Sequence, residues 1–437
     1  SRNFLLHSDL SPKEAHELLT RLETMLGLIS TYWQRPSRGI IECYVAKDLD
    51  TWPAGSLRPE GRAKIAEGAG ITLTQVISVG DQFKAKAVVY ATADHGTPQH
   101  EAVHAYCGQA FGRTGPTWYS EGMAEMGQYW RKSDKRVQIG EYVLEYLQKS
   151  EPKSLREIVE RNQFTGDSWQ NYSWRWALCH LLANNPNYAS RFRPLGMGLL
   201  TEQPVSFELT YGAMANEISF EYIFFIDHLE NGLRADLCAW DWKKKFTPLK
   251  NTSKTLAARV VAGRGWQPTG LTAAKGHVYD LSTSGKWKTS KSAKTTDADG
   301  NAQGDGRLFG VLLSDWKLSE PFAMGAAGQF VAPADGDLYV RCFDKWTSLD
   351  DNNGQMSVRL RFVKAESDAD ASVFISSKPA AVRVWRDASG KYSIKATLIA
   401  VKDGVVELRR EDGKLVEIPF DKLSDEDKAF LKKPSGM

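Results

Sequence analysis

His100-Glu101-Ala102-Val103-His104, followed by Pro116-Thr-Trp-Tyr-Ser-Glu121-Gly-Met-Ala-Glu125, is the stretch on which the reading of this chain turns. The spacing predicts a helix, on which residues four apart share a face, so both imidazoles can reach one metal ion. Glu101 falls one residue further round, where a carboxylate can touch a metal-activated water without being a ligand. Two His and a Glu in these roles are the arrangement of a zinc hydrolase. The chain holds only eight His, and chance produces such a pattern in about one sequence in a hundred. Glu121 lowers that figure further.

A structural zinc normally takes four protein ligands, with nitrogen at about 2.0–2.1 Å. Three are legible: His100, His104 and Glu121. The fourth position is expected to hold water, whose pKa the metal lowers from about 15.7 to about 7. Glu101 is the expected general base, taking a proton from that water and passing it to the leaving amine. Glu125 lies one helical turn after Glu121, where it can hydrogen-bond a ligand imidazole and orient it. His95 reads as a loop residue. Two other readings stay open: a surface coincidence, and a degenerate site that binds metal without cutting.

The 437 residues suggest roughly three domains. Apolar residues at 42% and charged residues at 25% are those of an ordinary globular protein. A net charge of +3 is too small to argue for nucleic acid or an anionic membrane, and no apolar run approaches the length of a membrane span. The chain starts at Ser1, which reads as a mature form whose signal peptide has been removed. Its five cysteines are too dispersed for a disulfide scaffold. Buried free thiols are expected, with a Cys107–Cys179 pair as the alternative.

Along the first 250 residues, helices mix with strands. Pro12 to Ile29 is amphipathic, with Ser11 as its N-cap. Gly39 to Ala46 and Phe83 to Ala91 read as strands. Thr97 is expected to cap the His100 helix, with Pro98 at its first position. The next helix is expected from near Ser120, and a helix-rich remainder follows. From about Ser253, short β-prone runs (His277 to Leu281, Leu308 to Leu313, Leu338 to Phe343, Met356 to Val363) alternate with turns, the signature of an all-β sandwich. Residues 366–380 read as a linker. From Ala381, four alternating runs are joined by Ser389-Gly390, Asp403-Gly404 and Asp412-Gly413, which favour hairpins, and a short acidic helix starts at Ser424. The expected fold is therefore multidomain α+β: a domain over 1–250, a β-sandwich over 254–365, and a small five-stranded β-barrel over 381–435.

Trp118-Tyr-Ser-Glu121-Gly122-Met-Ala124, set behind His100-Glu-x-x-His104, resembles the gluzincin zinc metallopeptidases, whose third ligand is a Glu on a second helix. The gap between His104 and Glu121 is sixteen residues, two shorter than in the aminopeptidase branch, and points to the peptidase-MA-like branch of bacterial, planctomycete type. The resemblance implies a zincin-like domain. It also implies a strand edge that binds substrate backbone, for which Val88 to Ala91 is the candidate. A later Tyr or His would stabilise the oxyanion: Tyr172 by order along the chain, His180 less well placed. For Tyr172, among three tryptophans, a core role is the alternative.

Residues 255–363 are similar to bacterial galactophilic lectins, through Phe343-Asp344-Lys-Trp-Thr-Ser348-Leu-Asp350-Asp351-Asn352-Asn353-Gly354. The resemblance implies calcium held by Asp344, the Ser348 carbonyl, Asp351 and Asn352, with sugar hydroxyls completing the shell. An Asp stands where that family has its first Asn, and calcium accepts oxygen of either kind. A remaining carbonyl ligand has no clear counterpart, although Trp287 lies in the comparable strand. The same residues also suit a hairpin turn. Asp297-Ala-Asp299-Gly-Asn301 lacks the Gly and Glu of an EF-hand and reads as a turn. Val384-Trp385-Arg386 and Leu408-Arg-Arg-Glu-Asp-Gly413 resemble the Sla-type homology domain of endocytic adaptors, a barrel that in adaptors binds peptide sorting motifs. Function does not travel with fold, and here a passive stabilising module is the expectation, with peptide or wall attachment as the alternative.

The expectation is a secreted or periplasmic zinc metallopeptidase acting on a peptide or protein, with calcium and a carbohydrate as further ligands. The alternative is a non-catalytic glycan- or surface-binding protein on a degenerate zincin scaffold.

Overall fold

Caps and alternation set the elements of the first part of the chain. β1 (Phe4–Ser8) precedes α1 (Pro12–Trp33), whose N-terminus is closed by a capping box. The Ser11 N–H donates to Glu14 at 2.9 Å, and the Glu14 N–H donates to Ser11 Oγ at 3.3 Å. The helix buries Leu18, Leu22, Met25, Leu26 and Ile29, and runs a turn past Ile29 because Trp33 is buried too. The computed structural model describes residues 1–437 except 80–81, 132–133, 161–167, 366–382, 389–391, 403–404, 411–414 and 433–437. The described residues divide into two units, Ser1–Ala239 and Trp240–Met437.

In the first unit, β2 (Ile41–Ala46), α2 (Pro59–Ala66), β3 (Gly70–Val79) and β4 (Gln82–Thr92) follow α1. The sheet order is β1-β2-β4-β3. The first three of these strands are parallel, and β3 runs antiparallel to β4 in unbroken register. Val88–Ala91 is therefore not an edge. Val88 pairs with Glu42 on one side and Leu73 on the other, and the edges of the described sheet are β1 and β3, the latter a strand the sequence reading passed over.

α3 (Thr97–Phe111) and α4 (Thr117–Tyr129) carry the motif, and α5 (Glu141–Lys149), α6 (Leu155–Val159), α7 (Trp169–Asn184), α8 (Ala189–Leu200), α9 (Phe207–Tyr211) and α10 (Ala215–Asp227) complete the unit. The cap of α3 is Gly96 rather than Thr97. The Asp94 carboxylate accepts the N–H groups of Gly96 and Thr97 at 2.7 and 2.6 Å and the Thr97 hydroxyl at 2.6 Å. A charged acceptor outcompetes a hydroxyl for these donors.

The second unit begins ahead of the boundary read from sequence. β5 (Thr247–Pro248) pairs with the strand Gln267–Ala273, and the rings of Trp240 and Phe246 pack on Tyr339. The strands are β6 (Thr255–Val261), β7 (Gln267–Ala273), β8 (His277–Lys288), β9 (Leu308–Ser314), β10 (Lys317–Leu318), β11 (Phe322–Ala323), β12 (Ala327–Val331), β13 (Gly336–Cys342) and β14 (Asn353–Ala365). They form two sheets, β10-β9-β13-β7-β5 with β11 added to β9, and β12-β8-β14-β6. Both contribute to one core that includes Val260, Leu271, Leu281, Trp287, Leu338 and Val358, so this part is a β-sandwich.

β15 (Arg383–Arg386), β16 (Ser393–Lys402), β17 (Val405–Arg410) and β18 (Leu415–Pro419) form an antiparallel sheet in chain order, followed by α11 (Asp425–Lys432). Among the described residues it has four strands and is open, in place of the expected five-stranded barrel. The stretch before α11 does the covering instead. Leu423 bridges to Asp387 and joins Trp385, Ala396, Val406 and Leu408 in a small core. The Asp427 carboxylate accepts the Arg386 N–H at 2.7 Å and pins the helix there. The linker 366–380 and the turns Ser389-Gly390, Asp403-Gly404 and Asp412-Gly413 lie outside the described residues.

No helix among the described residues is long and apolar enough to cross a membrane. All five cysteines are free thiols, Cys107 and Cys179 included.

Candidate metal centre

His100 and His104 project from one face of α3, and Glu121 and Glu125 come from α4. Two glycines let the helices approach. A Cβ at Gly127 would stand 2.3 Å from Val103 Cγ2 on α3, and one at Gly122 would stand 2.4 Å from Cys179 Sγ on α7. At these distances a larger residue cannot be seated without a shift of its neighbours, which at Gly122 include the Arg175 backbone carbonyl at 2.8 Å.

His100 Nε2 lies 3.2 Å from His104 Nε2, and Glu121 Oε2 lies 3.2 and 3.4 Å from the two nitrogens. Donor atoms held 2.0–2.1 Å from a tetrahedral ion stand about 3.3 Å apart. The three donors thus have the spacing of one face of a tetrahedron, and among the described residues they are the one group of three such side chains so arranged.

The tautomers agree. His100 Nδ1 is 3.0 Å from Glu125 Oε1; a carboxylate only accepts, so that nitrogen carries the proton. The Nε2 lone pair then points at Glu121 and His104. His104 Nδ1 meets Ser120 Oγ at 3.2 Å. A cation at the junction, proton or metal, is what such lone pairs require. Burial alone would pull the His100 imidazole down, but its hydrogen bonds with Glu121 and Glu125 outweigh this and raise it well above the ordinary value. Burial pushes Glu121 up; its bonds with His100 and His104 prevail and hold it well below the ordinary carboxylate range. Two imidazoles and a carboxylate are a donor set that suits zinc, and Glu125 behind His100 supplies the orienting carboxylate.

Glu101 is buried beside this group. Thr72 on β3 has its hydroxyl 2.8 Å from both Glu101 Oε2 and the Glu101 carbonyl oxygen. Gly70 leaves the space that the Glu101 side chain fills: a Cβ there would lie 2.7 Å from its Cγ. The sequence reading missed both residues. The β-branched run Ile71-Thr-Leu-Thr-Gln-Val-Ile was the available signal for a strand.

All these groups line one cleft of about 1280 Å³, with Thr72 and Thr74 of β3 along one wall. Tyr172 also lines it, its ring centroid 5.6 Å from that of His100. His95 lies on the turn before α3, its Nε2 2.9 Å from an Arg131 nitrogen. His180 is elsewhere, buried and stacked on Phe225 at 5.7 Å.

In the second unit, Asp344 follows β13, Ser348 and Asp351 lie on the 3-10 turn Trp346–Asp351, and Asn352 ends it. Asp344 Oδ2, Asp351 Oδ1 and Asn352 Oδ1 are all buried without a hydrogen-bond partner. Burial, with the Asp305 charge adding, raises the Asp344 carboxyl against the pull of the Lys345 N–H, Asn352 and Arg341. Arg341 donates to the Asp344 carbonyl and lies 3.6 Å from the Trp346 ring centroid, bracing the loop. The Asp297–Asn301 stretch is a turn: the Gly300 N–H donates to the Asp297 carbonyl, and the Asp299 N–H to its carboxylate.

Residues 376–437 match the family described as SLA1 homology domain 1, SHD1. The actin cytoskeleton-regulatory complex protein sla1 of Sclerotinia sclerotiorum is 31% identical over 88 residues, 20% of this chain and 8% of that protein. Its counterpart in Vanderwaltozyma polyspora is 33% identical over 58 residues, 13% of this chain and 5% of that protein. The chain thus spans less than a tenth of either curated relative. A solved chain described as EclA N-terminal domain, PllA-like lectin, has 17% identity and a TM-score of 0.21, and the match covers 25% of this chain and 96% of that one.

Proposed function

We propose that the first unit hydrolyses peptide bonds, with zinc held by His100, His104 and Glu121. The observation that carries this reading is the mutual spacing of three donors at 3.2–3.4 Å, beside a buried Glu101 that is not one of them. Zinc in that position would polarise the substrate carbonyl and make water a nucleophile near neutral pH. Glu101, steadied by Thr72, takes the proton of the attacking water and delivers it to the leaving amine. Glu125 keeps the His100 ring in the tautomer that offers Nε2 to the ion. Tyr172, on the cleft wall against His100, is the candidate donor to the developing oxyanion. The unpaired edge of β3 offers backbone groups to an extended peptide. In this reading its place is secreted or periplasmic.

Glu101→Gln in the zinc-loaded chain tests the reading. Cleavage of a mixed peptide pool is expected to fall by at least about 100-fold while one zinc per chain stays bound. Full activity in that variant contradicts the assignment of the base.

A second binding reading has its own support. Three buried oxygens without donors on one short loop, at a cost of about 1–3 kcal/mol each, suit a calcium ion held by Asp344, the Ser348 carbonyl, Asp351 and Asn352, with a carbohydrate as its outer ligand. For the C-terminal sheet, the SHD1 match supports a role in docking a peptide or partner protein.

A further inference from the structure

The cleft has a second wall, built by α5 and α7, that the hydrolytic machinery leaves unused. Tyr142 and Trp169 line it with 56% and 42% of their surfaces exposed, ring centroids 5.2 Å apart in an edge-to-face pair. Exposed aromatic rings are ordinary when scattered singly; two in contact inside a cleft are not. Trp169 lies three residues before Tyr172 on α7, a rise of about 4.5 Å along the helix. Because the Tyr172 ring lies against His100, the pair stands roughly one side chain away from the metal centre.

The wall is also held still. The Trp169 ring rests on Tyr146 at 5.1 Å, and the Tyr142 hydroxyl is hydrogen-bonded to Tyr129. Buried Val143 and Ile139 line the same side. A Cβ at Gly140 would stand 2.9 Å from Tyr142 Cε1, so glycine there leaves the ring its position. Glu101, Glu121 and Glu125 make the adjoining floor hostile to an acidic side chain.

We infer that Tyr142 and Trp169 form the subsite for an aromatic or branched aliphatic side chain of the substrate, next to the scissile bond. This rests on the peptidase reading and names its substrate class: peptides cut beside a large apolar residue. Wetted aromatic surface is worth roughly 25 cal/mol per Å² once covered, so occupancy by such a side chain is favourable where an alanine gains little.

The test uses the full chain and two synthetic peptides that differ only by Phe or Ala at one position, chosen from the bonds cut in a mixed pool. The zinc-loaded chain is expected to prefer the Phe peptide by about ten-fold or more in kcat/KM. The ratio should fall towards one in Tyr142→Ala and in Trp169→Ala, with zinc content unchanged. Calorimetry on the Glu101→Gln chain gives a readout independent of turnover: the Phe peptide should bind about ten-fold more tightly, and lose that advantage when Tyr142→Ala is added. Equal affinity for the two peptides, or a preference that survives both wall substitutions, overturns the inference. A wild-type chain that cuts no peptide in the pool, tested with a panel of Phe and Ala peptides and still binding the Phe member more tightly through Tyr142, overturns the peptidase reading and leaves the subsite standing.

Discussion

A neutral imidazole nitrogen cannot comfortably face a carboxylate oxygen and a second imidazole nitrogen across 3.2 Å with nothing between them. That conflict at His100 is what turns a sequence pattern into a chemical statement, because Glu125 has already fixed the proton on the opposite ring nitrogen. His180 shows the contrasting fate of a histidine in the same unit. Burial pushes it down to about 4, against about 6.5 in the unfolded chain. Between those values the unfolded chain binds the extra proton. Stability is therefore complete above pH 6.5 and falls as pH drops towards 4, by up to about 3 kcal/mol. His180→Phe, which keeps a ring against Phe225 and Trp176, is expected to flatten that dependence in urea melts between pH 7 and 4.5. An unchanged slope would assign the acid lability to other groups.

Among the elements, β3 does most to complete the site and was least visible beforehand. The ligands could be read because helical spacing is a local property: four residues apart means one face whatever surrounds it. Glu125 followed for the same reason, one turn after Glu121; Glu121 itself sits on a separate helix and was legible only through the Trp118-x-x-Glu121-Gly122-x-Ala124 resemblance. Which strand lies at a sheet edge is decided by pairing between distant segments, and Val88–Ala91 is covered only because Gly70–Val79 folds back along it. The expected closure of the C-terminal sheet depended on distant pairing in the same way, and among the described residues it is Leu423, bridged to Asp387, that joins the core of the four strands. β3 also makes a prediction of its own. Thr72→Val removes the hydroxyl 2.8 Å from Glu101 Oε2 and keeps the strand's shape. Peptide cleavage by the zinc-loaded chain should fall by about ten-fold or more, with zinc content unchanged and Thr72→Ser restoring most of the rate. A full rate in Thr72→Val would show that the strand does not position the base.

At the scale of the whole molecule, each unit carries its own candidate ion site, and the two differ in donor type. Nitrogen and one carboxylate in the first suit zinc, and an all-oxygen loop in the second suits calcium. The difference allows separate tests on one chain. Calcium at about a hundred times its dissociation constant should stabilise the second unit by about 2.7 kcal/mol, seen as a higher midpoint of its thermal transition. Asp344→Ala with Asp351→Ala should abolish the effect, and a shift that persists would place the ion elsewhere. The claim on which the rest depends is that two imidazoles and one carboxylate of the first unit share a single zinc and leave one position open to solvent. X-ray absorption at the zinc edge, with metal analysis of the purified chain, measures this directly. One zinc per chain is expected, with two imidazole nitrogens, one carboxylate and one further light oxygen at about 2.0–2.2 Å. A chain that retains no zinc, or a zinc ringed by four protein side chains, would contradict it.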